Sequence, residues 1–203
     1  MKVISIPPDF AAWRDQARAL LRDRVPPSET GWQAAESGQS DLFAEAENSR
    51  PAPNRAAGPV PSVPKAFLEL AETVACHRDE TRWGLLYSLL WRLTRGGERH
   101  LLKLRTDREI DRAHRMAKEI GRDLHKMRAF VRFREIETSA EEDGNGRERF
   151  VAWFEPEHHI VRRNAPFFRK RFTNMNWSIL TPDECVHWDG DRLRFTPGLP
   201  RSE

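Results

Sequence analysis

The 203-residue sequence predicts an α+β fold, with central helices packed on a small, mostly antiparallel sheet. Three observations predict it. The middle of the chain carries apolar residues at steps of three and four, the spacing of buried helical stripes. Within it, WGLLYSLLWRL is apolar nearly all round and reads as a central core helix that buries Leu90 and Trp91. The C-terminal third instead alternates with period two between turn-forming clusters.

Taken in order, Val3 to Ile6 reads as a short strand stopped by Pro7 and Pro8. Asp9 is placed to cap a helix from Phe10 to about Arg24, with Phe10, Trp13, Ala17, Leu20 and Leu21 inward. A short strand around Gly31 to Gln33 follows, which closes an N-terminal segment of the main domain at residues 1–33. Residues 34–62 are rich in Ala, Ser, Glu, Pro and Gly and read as a mobile acidic, Pro-rich loop, poorly ordered over 44–60. The main body is expected over 63–196. Phe67, Leu68, Ala71, Val74 and Ala75 form a helical stripe after Pro64, and the core helix runs from Asp79 to Thr94 and ends at Gly96-Gly97. A long basic helix follows from about Asp107 to Arg128, where mid-helix Gly121 points to close approach of another element. Phe130 to Glu137 and Arg149 to Phe154 read as two strands of a hairpin, and Glu157 to Phe172 as a helix. Trp177 to Thr181, Glu184 to Trp188 and Arg192 to Phe195 read as strands, the last two joined across Asp189-Gly190-Asp191. Residues 197–203 look like the start of a linker.

Composition excludes several classes. No apolar run approaches the ~20 residues of a membrane span, and MKVISIPPDF lacks a secretory core. Cys76 and Cys185 are far apart and form neither a disulfide framework nor a CxxC pair, which fits a reducing cytoplasm. Two cysteines cannot supply the four thiolates of an iron–sulfur cluster, so no cofactor is expected within this chain. There is no GxGxxG, Walker or GxSxG motif, and no zinc-deaminase pattern.

What remains is charge. Residues 112–134 hold eight Lys/Arg against two acids, in a chain whose net charge is only +3. Residues 160–182 hold five bases and no acid, interleaved with Phe167, Phe168, Phe172 and Trp177. Bases beside aromatic rings suit nucleic acid, where cations follow the backbone and rings stack on bases. The candidate contacts are Lys126, Arg132, Arg134, His158, Arg169, Arg171 and Trp177, with Arg132 and Arg134 sharing one strand face. The amides of a helix starting after Pro156 would offer an anion site beside His158 and His159. Catalysis is an open alternative, with Glu155, His158 and His159 as acid–base candidates. The remaining histidines, His77, His114, His125 and His187 among them, show no metal-ligand spacing, so no metal site is expected.

The runs VPKAFLELAETVACHRD, GLLYSLLWRLTRGGERHLL, DLHKMRAFVRFRE, FVAWFEPEHHIVRRNAPFFRKRF and WSILTPDECVHWDG resemble a bacterial domain of unknown function labelled a DNA metabolism protein. The resemblance covers nearly all of residues 64–190. It implies a domain fused ahead of a uracil-DNA glycosylase carrying an iron–sulfur cluster, or one standing beside a radical-SAM protein linked to DNA repair. The implied role is a DNA-binding accessory domain. The chain lacks the glycosylase's own segments, so the cluster belongs to a downstream domain, and the resemblance implies no catalytic residue. A protein-interaction module that docks the glycosylase or the radical-SAM partner is the competing expectation.

Overall fold

The computed structural model describes residues 1–34, 62–136 and 148–201. The acidic, Pro-rich segment and the turn-rich loop around 139–146 lie largely outside the described residues. The fold is α+β and divides into two compact units, residues 1–117 and 118–203, with the boundary inside one long helix.

In the first unit β1 (Lys2–Ile6) leads into α1 (Phe10–Arg22), and a single 3-10 turn leads into β2 (Thr30–Ala34). The Asp9 carboxylate accepts the Ala12 N–H at 2.9 Å, which fixes the helix start that the sequence predicts. β1 and β2 pair in parallel, Ile4 opposite Trp32. Parallel neighbours need a crossover, and α1 supplies it. Then come α2 (Lys65–Val74) and α3 (Arg82–Thr94). α3 is the centre of this unit: Trp83, Leu86, Tyr87 and Leu89 are fully buried, and it packs on α1, α2 and β2. Trp13 Nε1 donates to the Trp83 carbonyl at 3.2 Å, and the Tyr87 hydroxyl donates to Val25 O at 2.6 Å. Leu90 is buried as expected, but Trp91 is only partly so. The stripe facing α1 passes through Trp83, two turns earlier, and leaves Trp91 on its flank.

The helix α4 (Arg108–Phe130) starts at an Asp107 cap, whose Oδ1 accepts the N–H groups of Glu109 and Ile110. It runs past the predicted end at Arg128, because the Val131 N–H still reaches Met127 O. The strand expected from Phe130 therefore shrinks to β3 (Arg134–Ile136). Among the described residues nothing lies within 4 Å of where a Gly121 Cβ would stand, so none of them makes the expected close approach.

The second unit is built on a five-stranded sheet in the order β3-β4-β5-β6-β7, with β4 (Arg149–Trp153), β5 (Asn176–Leu180), β6 (Glu184–Trp188) and β7 (Leu193–Pro197). Three of its four pairings are antiparallel, among them the predicted β3–β4 hairpin and the β6–β7 turn. Gly190, with φ 92°, and Asp189, which accepts two turn N–H groups, form that turn. β4 and β5 are parallel, with α5 (Val161–Arg171) as the crossover. α5 packs on one face of the sheet. There Phe168 meets Trp177 at 6.2 Å, and Phe133 meets both rings.

Candidate functional site: an arginine-bearing sheet face

Strand registers place side chains on faces, because successive residues alternate. Trp177, Ile179, Val186 and Trp188 point to the α5 side and are buried. The opposite face carries one continuous cross-strand row: Arg134, Val151, Ser178, His187 and Arg194. At ~4.8 Å per strand, the row spans ~19 Å. Beside it run Ile136, Arg149 and Asn176. Arg134, Arg149 and Arg194 are exposed. Among the described residues Arg134 and Arg194 have no carboxylate partner.

In the middle of the row Ser178 Oγ lies 2.8 Å from His187 Nδ1, and Thr196 Oγ1 lies 2.9 Å from His187 Nε2. Burial, aided by the Arg194 charge, holds the imidazole pKa below its ordinary value. A pocket of about 260 Å³ opens here, with Asn176, Ser178 and His187 in its lining and Arg149, Arg194 and Asp189 around them.

The contacts expected from sequence fall elsewhere. Lys126 is ion-paired with Glu157 at 2.6 Å, which lowers the Glu157 pKa. Arg132 lies before β3 and shares no strand face with Arg134. Its guanidinium donates to the carbonyls of Ala129 and Val131, closing the end of α4. Trp177 is 2% exposed and its Nε1 donates to Phe172 O, so its ring belongs to the core and offers no stacking face. Arg169 and Arg171 are exposed on the last turn of α5. Arg134 is the one expected contact that stands in the row.

The segment after Pro156 differs most. α5 begins at Val161, and residues 157–159 form a bend. The expected anion site does not form, because the His158 N–H already donates to the buried Asp123 carboxylate at 2.9 Å. His158 is 9% exposed, and a ring nitrogen lies within 4.8 Å of the Glu119 carboxylate. His159 Nδ1 instead approaches Asp183 at 3.9 Å, and Glu155 accepts from Trp153 Nε1 and Arg201. The three acid–base candidates thus face three different partners.

Sequence reasoning did not single out Arg149, Ser178, Arg194 or Thr196. Their signal was the period-two alternation of β4 to β7, read from its outward side.

A family model described as a domain of unknown function, DUF4130, matches residues 80–194. That is more than half of the chain, so the chain belongs to this family. The matched span contains the whole five-stranded row. No curated protein and no solved structure matches the chain. No helix among the described residues is long and apolar enough to cross a membrane.

Proposed function

We propose that this protein is a nucleic-acid-binding accessory domain of DNA repair, which positions DNA for a uracil-DNA glycosylase fused to it or for a partner such as a radical-SAM repair protein. The repair context comes from the family resemblance. The binding role rests on one observation: Arg134 and Arg194 end a cross-strand row on the open sheet face and have no carboxylate partner among the described residues. Cations without a carboxylate partner among the described residues are the candidates to displace the counterions of a phosphate backbone. The basic face of α4 is a weaker candidate, because Arg112, Arg115, Arg122 and Lys126 are ion-paired with Asp79, Asp111, Glu119 and Glu157.

The test is fluorescence anisotropy with single- and double-stranded DNA, with and without uracil, across salt. The log of affinity should fall against log salt with a slope of roughly −0.7 to −0.9 per phosphate contacted. Arg134→Glu should weaken binding and leave the fold intact. Equal binding by that variant would remove Arg134 from the contact, and no binding at low salt would end the reading. A protein-interaction module is the second reading, favoured by Phe130, 67% exposed at the end of α4, and by Phe167 beneath the Arg128 guanidinium.

A further inference from the structure

The pocket on the open sheet face has a composition that phosphate contact alone does not call for. Its Ser178 and His187 hydrogen-bond one another, Ser178 on the central strand of the five and His187 on its neighbour. Arg149 stands on β4 and Arg194 on β7, three strand spacings apart and two residues offset along the strands, or ~16 Å between backbones. Two long guanidinium side chains therefore flank a polar centre. At about 260 Å³ the pocket lies just below the ~300–1,000 Å³ that holds drug-sized ligands, so it suits a single small ring system with its substituents.

The centre is chemically adaptable. A neutral imidazole donates from one nitrogen and accepts at the other, and a hydroxyl does either. With Ser178 on Nδ1 and Thr196 on Nε2, a change of tautomer reverses the direction of both hydrogen bonds. Ser178 can then present either its O–H or its lone pairs to a ligand. That matches the edge of a nucleobase, where donors and acceptors alternate. Guanidinium planes on each side match what an unstacked base needs on its faces and what its phosphates need at their oxygens.

We propose that this pocket takes one nucleotide of a single-stranded nucleic acid, its base edge on the Ser178 hydroxyl that His187 orients and its two flanking phosphates toward Arg149 and Arg194. The proposal rests on the nucleic-acid reading above and adds a ligand class to it. A free nucleoside monophosphate carries the same chemistry with one phosphate fewer. A nucleotide within a strand engages both arginines, so it binds more tightly.

Three probes separate these ideas: an oligothymidylate of about 10 nucleotides, within the usual site sizes of single-strand binders; an abasic strand of equal length; and deoxythymidine monophosphate. The oligothymidylate should bind about tenfold more tightly than the abasic strand, the order expected for one base contact. Ser178→Ala should remove most of that difference and leave abasic-strand affinity unchanged, with an unchanged circular dichroism spectrum as the folding control. Arg194→Glu should weaken both strands and lower the salt slope by about one. The monophosphate should shift the amide resonances of Ser178 and His187, at lower affinity than the strand. Equal affinity for the two strands would overturn the pocket inference and leave the nucleic-acid reading standing. Monophosphate binding with neither strand bound would overturn the strand part of the inference and the function reading together. Binding of none of the three would end both.

Discussion

The Asp123 carboxylate accepts the backbone N–H of His158 at 2.9 Å across 35 residues of sequence, and Asp123 is 2% exposed. This bond ties the C-terminal half of α4 to the bend that precedes α5. Asp123→Ala would leave a buried N–H without an acceptor, at a cost of about 1–3 kcal/mol. Asp123→Asn retains an acceptor oxygen and should cost less. Urea denaturation followed by circular dichroism measures both. Equal midpoints for wild type and the Ala variant would remove Asp123 from the structural account.

Arg92 joins Glu98, Asp107 and Glu109, with Asp107 Oδ2 at 2.7 Å. The Arg92 guanidinium holds the Asp107 carboxyl down to about 2, from an ordinary 3.8. A depressed carboxyl contributes stability above its unfolded pKa and loses that contribution as pH falls from 3.8 toward 2. Because Asp107 is partly solvated, the contribution is discounted to about 1–2 kcal/mol. Asp107→Asn should flatten the melting temperature in this window relative to wild type, and an unchanged acid profile would contradict it.

His187 behaves with the opposite charge. Its folded pKa is lowered from 6.5 by burial first and by Arg194 second, with the hydroxyls of Ser178 and Thr196 on its two nitrogens. The unfolded chain therefore binds the proton first, so stability is complete above pH 6.5 and declines as pH falls below it. Arg194→Ala should raise the pKa while leaving it below the ordinary value, since burial remains. Imidazole ¹⁵N resonances against pH report this directly. A titration unmoved by the substitution would show that Arg194 does not act on the ring.

Gly121 lies within α4 with open space where a Cβ would stand. Gly121→Ala should stabilise the protein by about 0.5–1 kcal/mol through helix propensity and reduced chain entropy. A destabilised variant would mean that something occupies that space.

Trp83 is fully buried, whereas Trp91 is partly exposed. Trp83→Ala should cost about 3–5 kcal/mol, and Trp91→Ala clearly less. Chemical denaturation of the two variants ranks them, and the reverse order would refute the placement of α3.

The sequence was legible where the signal is local. Asp9 before an apolar stripe marks a cap because the accepting amide is three residues away. Asp189-Gly190-Asp191 marks a turn because Gly190 must adopt positive φ. Legibility failed where a partner comes from far along the chain. Lys126 read as a free cation, yet Glu157 neutralises it from 31 residues away. The His158 amide read as open to phosphate, yet Asp123 occupies it. A window of sequence counts charges but not the distant acids that fold against them. Trp177 read as a stacking ring because composition cannot tell an inward strand position from an outward one until register is known. The row from Arg134 to Arg194 needed four strand pairings at once, and no short-range pattern encodes the parallel β4–β5 step.

The ends of the five-stranded sheet have a consequence for assembly. β3, at one margin, is three residues long and carries Arg134 and Glu135. β7, at the other, finishes on Pro197, which has no N–H to give. Short, charged and proline-terminated margins are poor templates for a foreign strand. Strand addition at either margin is thereby disfavoured, which leaves the broad side-chain surface of the sheet as the better place for a molecule to dock.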